Sequence, residues 1–370
     1  MGVGGRAVEE LVSLNSELGR GASTLVTGHT GFKGSWLTLW LAGLGARVHG
    51  VALDPPTEPA LFAVAGVADA ISSDTRGDIR DPGVLAHALR VSEPSLIFHL
   101  AAQPLVRDSY DDPAGTFAVN VMGTLNLLEA VRRAPSVKAV IIVTTDKVYD
   151  NREWMHPYRE LDSLGGRDPY SASKAACEIA ASSMRSSFFG EGGHPALIAT
   201  ARAGNVIGGG DFARDRLVPD CLRAFAKAEP VTLRYPDAVR PWQHVLESLS
   251  GYLRLADRLL GPDGRRFARA YNFGPDVSDD ACVGAVADKL ALLWSPTTKV
   301  VHRSNGKNPH EAGLLRLDST LARLDLGWAP RLSLDQALAW TVDWEQARLA
   351  GADMRKVSQA QIAAYTEAVG

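Results

Sequence analysis

The chain has 370 residues, enough to bury a large core and to form two domains or one large interleaved unit. Hydrophobic residues make up 46% and charged residues 22%, and a formal charge of −3 gives no basic field to gather nucleic acid or anionic lipid. Cys177, Cys221 and Cys282 are too scattered for a disulfide framework or a metal cluster and suit a reducing cytoplasm, while no apolar run reaches the ~20 residues of a membrane span.

Residues 1–22 read as an N-terminal arm. Glu9, Glu10 and Glu17 interrupt its apolar stretch, so it makes a poor signal peptide. Over residues 23–203, short β-rich runs (Thr24–Thr27, Val48–Leu53, Leu96–Leu100, Ala139–Val143, Ala196–Thr200) alternate with helical periodicity at Trp36–Leu44, Phe117–Arg133 and Ser171–Phe188. Strands apolar throughout, alternating with helices, predict a Rossmann-like α/β fold: a doubly wound parallel sheet covered on both faces. Ligands in such sheets bind beyond the carboxyl ends of the strands. Trp36 and Trp40, four apart on the first helix, belong to the core, and Cys177 is packing. Residues 204–370 form a smaller, interleaved α/β substrate domain, with short runs at Val231–Arg234 and Ala270–Phe273 and helices at Leu246–Leu260 and Leu334–Ala347. A segment of about 236–280 is expected to return to the first sheet.

Residues 24–34 read TLVTGHTGFKG, with Gly28, Gly31 and Gly34 three apart between a strand and a helix. Glycine permits a tight turn and a close approach of backbone N–H groups to a pyrophosphate, and the helix start adds its positive dipole end. The spacing is GxxGxxG rather than GxGxxG. Asp54 ends the second strand where an acid would bind ribose hydroxyls and repel a 2′-phosphate, which favours NAD over NADP. Asp78 and Ile79, ending the next strand, are placed to flank the adenine.

Beyond the apolar run Ala139–Val143 come Thr145, Asp146 and Lys147, a hydroxyl, a carboxylate and an ammonium at a strand end. Farther on, YSASK puts Tyr170 and Lys174 four apart, on one helix face. A free tyrosine, with a pKa of ~10, is only ~10⁻³ phenolate at pH 7. An ammonium at ~4 Å in an effective dielectric of ~20 supplies about 4 kcal/mol toward the charged form, enough to make Tyr170 a base for a sugar hydroxyl.

With TGHTGFKG, HLAAQ at 99–103, Asn120, Thr145 and YSASK, the chain resembles the extended short-chain dehydrogenase/reductase (NAD-dependent epimerase/dehydratase) family from about Ser23 onward. The segments VTGHTGFKGSWL, TTDKVYDN, NVIGGGDFARDRLVPD and RPWQHVLESLSGYL resemble its sugar-nucleotide 4,6-dehydratases, and among them those acting on CDP-glucose. The resemblance implies NAD contacts from Gly28, Thr30, Gly31, Phe32, Lys33, Gly34, Leu100, Ala101, Ala102, Gln103, Asn120, Thr144, Tyr170 and Lys174. It implies a hydro-lyase cycle: Tyr170 takes the C4 hydroxyl proton while hydride passes to NAD, with Thr145 bonding that oxygen. Water is then lost across C5–C6, and the hydride returns to C6. Asp146 would be the acid at the C6 oxygen. Lys147 stands where related dehydratases have a glutamate, so it must be neutral to take the C5 proton or else stabilise the enolate.

Asn205, Arg214, Arg216 and Arg240 are aimed at the diphosphate and sugar, with Gln103 also on the substrate side and Trp242 or Tyr235 packing on base or ribose. His310 resembles a family residue near the nucleotide. His99 is read as holding a backbone turn near NAD. No cluster suggests a metal. The helices around 113–133 and 168–189 resemble those of family four-helix dimers, which implies a homodimer. Two other functions stay open: an epimerase using Tyr170 and Lys174 alone, and a non-catalytic NAD sensor.

Overall fold

A computed structural model describes residues 18–19, 21–233, 235–276, 280–295, 297–302 and 314–367. Most of the N-terminal arm, and His310, lie outside these. Seven parallel strands form the central sheet. The first six are β1 (Ser23–Thr27), β2 (Arg47–Ala52), β3 (Ser73–Arg76), β4 (Leu96–His99), β5 (Ala139–Val143) and β6 (Leu197–Ala203), and the seventh is Ala270–Phe273. In space they run seventh-β6-β5-β4-β1-β2-β3, so the order reverses between β1 and β4. That switch point is where α/β sheets bind ligands.

The sheet forms because its middle strands are saturated with branched apolar residues: AVIIV in β5 is buried at every position. One face packs on Trp36, Trp40, Leu249 and Tyr252, the other on Leu85, Leu127, Leu128 and Cys177. Trp36 and Trp40 are therefore core, as read from their spacing, and Cys177 is fully buried. A separate apolar cluster of Val218, Leu222, Phe225, Leu233, Val286, Leu290 and Leu338 lies in the later part of the chain.

Three helices start with Asp-Pro. Asp81, Asp112 and Asp168 each accept a backbone N–H two or three residues on, from Gly83, Gly115 and Ser171, and proline takes the first helical position. The stretch expected as one helix, Phe117–Arg133, runs instead as short helix Pro113–Phe117, a wide π-type turn over Ala118–Met122, and helix Gly123–Val131. The last strand, Ala270–Phe273, pairs with β6 and brings the later sequence back to the sheet edge.

Candidate active site

A cleft of about 1090 Å³ opens along the carboxyl ends of the strands. The loop after β1 forms its floor. Gly28 sits at φ +77, and a Cβ there would lie 2.7 Å from the Ala101 nitrogen. A Cβ on Gly34 would lie 2.1 Å from the Gly28 carbonyl oxygen. A Cβ on Gly31 meets nothing nearer than 3.4 Å, so only two of the three glycines are sterically required. Helix Phe32–Gly43 starts here with no side-chain cap on its first N–H groups, which leaves that end suited to a pyrophosphate. Thr30, Phe32 and Lys33 also line the cleft. These features fit NAD.

Asp54 lines the same cleft with a side chain 92% exposed, 3.7 Å from Arg76. Asp78 accepts from the Arg80 backbone and guanidinium, which hold its carboxyl below the usual range, and Ile79 is buried against Gly123. Leu100, Ala101 and Ala102 form the wall. His99 is pushed down to about 3 by burial and, with Nδ1 2.7 Å from Thr27 Oγ1, acts in structure. Thr27 Oγ1 in turn accepts the Ala101 N–H at 3.2 Å, so His99 steadies the turn through Thr27.

Gln103 and Asn120 do not line the cleft. The Gln103 amide is spent on Leu105 and Thr116, while Asn120 accepts the Gln103 backbone N–H and donates to Ser173. Together they fix the loop after β4 rather than present themselves to a ligand.

Thr145, Asp146 and Lys147 lie just past β5, where the Thr145 hydroxyl caps a short turn. Asp146 is 1% exposed. Its Oδ1 accepts from the Thr145 hydroxyl at 2.9 Å, and its Oδ2 has no hydrogen-bond partner. Burial raises the Asp146 carboxyl; Lys147, the Thr145 bond, Arg240 and Lys33 pull less strongly the other way. Gly204 keeps this pocket open, since a Cβ there would come 3.2 Å from Oδ2.

Tyr170 enters from the first turn of helix Pro169–Phe188, its N–H donating to Ser109 Oγ at 3.1 Å. Burial pushes its phenol up to about 12, with the Thr145 hydroxyl, hydrogen-bonded to it, opposing. The expected activation by Lys174 is not what this structure contains: the Lys174 ammonium donates to the Val143 carbonyl at 3.1 Å. Helical spacing places two residues on one face, but the Lys174 ammonium directs a donor to the nearer strand end. Arg216 is the cation that lowers Tyr170.

Asn205, Arg216, Arg240, Trp242 and Tyr235 line the cleft. Arg216 is held by Asp211 at 2.9 Å. Arg214 turns outward, 74% exposed, to Asp108, because Asp215 between the two arginines is in the left-handed region. Thr144 borders the cleft, yet its hydroxyl is committed to Glu178. Sequence reasoning missed Glu178, Arg202, Tyr149 and Asp211; the i,i+4 step from Lys174 was the available signal for Glu178.

The model of the NAD dependent epimerase/dehydratase family matches residues 24–274. The chain belongs to this family. It is 47% identical over 353 residues to CDP-glucose 4,6-dehydratase of Salmonella typhimurium strain LT2, covering 94% of this chain and 97% of that one. Among solved structures, it is similar to dTDP-glucose 4,6-dehydratase of Bacillus anthracis in complex with NAD (TM-score 0.72, 21% identity, 90% of this chain and 98% of that one). UDP-glucose 4-epimerase of Thermotoga maritima, with UDP-glucose, superposes with TM-score 0.76 at 23% identity over 88% of this chain and 99% of that one. Among the described residues no helix is long and apolar enough to cross a membrane, and no group of His, Cys, Asp and Glu could hold a metal ion.

Proposed function

We propose that the chain is a hydro-lyase that converts CDP-D-glucose to CDP-4-keto-6-deoxy-D-glucose and water. The observation that carries this reading is the buried Asp146 carboxyl beside Tyr170. Oxidation or epimerisation at C4 needs only the phenol, whereas elimination also needs an acid at the C6 oxygen. Bound NAD supplies a hydride acceptor at C4 and a donor at C6.

Tyr170, as the phenolate that Arg216, the Thr145 hydroxyl and the positive ring of bound NAD favour against its burial, receives the C4 hydroxyl proton, and the Thr145 hydroxyl bonds that oxygen. The C4 ketone acidifies C5, and the Asp146 O–H gives its proton to the departing C6 hydroxyl. Burial suits this step, because it keeps the carboxyl protonated to higher pH. Lys147 serves the C5 side: its amine takes the C5 proton as the C6 hydroxyl leaves as water, and returns it to C5 once hydride has reached C6. Arg216, Arg240 and Asn205 hold the diphosphate and sugar, with Trp242 or Tyr235 against the base.

The chain acts as a homodimer. Tyr110, Phe117 and Met122, then Ile179 and Phe188 on the neighbouring helix, leave apolar side chains exposed on the helices that pair in four-helix dimers, which supports a second copy as the occupant. Light scattering should give twice the chain mass, and Ile179→Glu should reduce it to one. The three free cysteines suit the cytoplasm as its compartment.

The test of function is incubation with CDP-, dTDP- and GDP-hexoses followed by mass spectrometry. CDP-glucose should lose one water without build-up of reduced NAD, and deuterium at C4 should appear in the new methyl group. An epimer that keeps its C6 hydroxyl would sink the dehydratase reading.

A further inference from the structure

Between the catalytic strand end and the catalytic helix lies a buried carboxylate that none of these steps uses. Glu178 sits one turn beyond Lys174 and is 4% exposed. It accepts three hydrogen bonds: from Thr144 Oγ1 at 2.5 Å, Thr200 Oγ1 at 2.7 Å and Arg202 at 2.9 Å. The second terminal nitrogen of Arg202 donates to the Tyr149 hydroxyl at 2.9 Å and the Glu160 carbonyl at 3.1 Å. Tyr149 passes the chain on to Asn272 at 2.6 Å in the last strand, and Asn272 donates to the Tyr158 and Asp318 carbonyls.

The two halves of the catalytic set come from different elements. Thr145 and Asp146 hang from the end of β5, and Tyr170 and Lys174 sit on the helix beside it. Besides the Tyr170–Thr145 bond itself, two bonds from side chains of that helix cross the gap: Lys174 Nζ donates to the Val143 carbonyl, and Glu178 accepts from the Thr144 hydroxyl. Both reach the residues immediately ahead of Thr145. The Thr144 backbone also donates to the Ala201 carbonyl at 2.9 Å, so Glu178 is one of the contacts that fix the spacing between the acid and the phenol, and the one that acts through the Thr144 side chain.

We propose that Glu178 is a positioning residue for this reaction, acting through Thr144 to hold the strand end that carries Thr145 and Asp146 in register with Tyr170. The kinetic part of this proposal rests on the dehydratase reading; the structural part does not.

Glu178→Gln is a poor first test, because it leaves the buried Arg202 guanidinium without its counter-charge and the fold itself can fail. Thr144→Val leaves Glu178, Arg202 and Thr200 bonded and removes only the strand-end bond. It should lower kcat roughly ten- to a hundredfold with KM for CDP-glucose changed less than about threefold. Thr144→Ser, which keeps the hydroxyl, should recover most of the lost rate. Hydrogen exchange of the amides over 144–149 should quicken about tenfold in Thr144→Val and less in Thr144→Ser.

Unchanged kcat and exchange in Thr144→Val would overturn the proposal, as would a lost rate that Thr144→Ser does not recover. If exchange at 144–149 quickens while the wild-type protein leaves CDP-glucose untouched, the positioning role stands and the dehydratase reading falls.

Discussion

Replacing Asp146 by Asn removes the acid of the elimination and leaves the oxidation intact. The substitution keeps volume, and its carbonyl can still accept the Thr145 hydroxyl now 2.9 Å from Oδ1. It also ends the cost of ionising a buried carboxyl, so Tm should hold or rise. An amide cannot release a proton to the C6 oxygen, and general acid catalysis contributes about 10²- to 10⁴-fold, or ~3–5 kcal/mol of barrier. Overall kcat should fall by that factor. The C4 oxidation uses Tyr170 and Thr145, both still present, so CDP-glucose should now turn bound NAD into its reduced form and stop there. Stopped-flow near-ultraviolet absorbance reads this directly: a stable signal in Asp146→Asn, and at most a transient one in the wild-type protein. A Tyr170→Phe control should give neither signal nor product. An Asp146→Asn enzyme that keeps kcat within about threefold, or that is inactive with no reduced cofactor formed, would refute an acid role for Asp146.

Gly34→Ala would put a Cβ 2.1 Å from the Gly28 carbonyl, so the loop must open; NAD affinity by calorimetry should fall at least about tenfold, while Gly31→Ala, with 3.4 Å of room, should fall less. Burial lowers Lys33 from 10.5 to about 7. The unfolded chain therefore binds a proton that the folded one does not between these values. Lys33 thus costs stability in full below pH 7, and that cost fades as pH rises toward 10.5. Lys33→Met should raise Tm most at pH 7 and below, with the gain shrinking toward pH 10; a gain flat in pH would count against a buried, proton-poor Lys33. Lys147→Arg keeps a permanent cation that cannot serve as a base at neutral pH. Retained turnover would support charge compensation of the enolate, and loss of turnover with C4 oxidation intact would assign Lys147 the C5 proton.

The sheet was legible because burial on both faces writes itself as continuous apolar runs, and Ala139–Val143 was read to the residue. The edge strand β3, Ser73–Arg76, alternates between half-buried and exposed and carries no such run, so its end was placed two to three residues late, at Asp78 and Ile79. The same contrast holds in the site. Gly28 and Gly34 could be read because backbone crowding admits one residue type. The direction of a polar side chain is set by whichever partner stands nearest in three dimensions, and spacing cannot supply that. Lys174 was placed on the correct face and still bonds Val143 rather than the phenol. Gln103 and Asn120 were placed at the right loop, but the Asn120 amide turns to the Gln103 backbone and the Gln103 amide to Leu105 and Thr116.

Asp146 shows where the division falls. Its type and its place at a strand end were visible in TTDKVYDN, and they suggested an acid. What raises its carboxyl is burial: Oδ2 has no donor, and Gly204, more than fifty positions later in the chain, borders it so closely that a Cβ there would lie 3.2 Å away. A carboxyl on an open loop would ionise near its usual range and could not protonate a leaving hydroxyl at neutral pH. The triplet therefore names the reagents, and the later, glycine-rich segment that borders Oδ2 adds to the burial that raises the Asp146 carboxyl. A Gly204→Ser substitution puts that claim at risk. A hydroxyl donor beside Oδ2 should favour the carboxylate, so the alkaline fall in kcat should move to lower pH, and an unmoved profile would mean that some group other than Asp146 donates the proton.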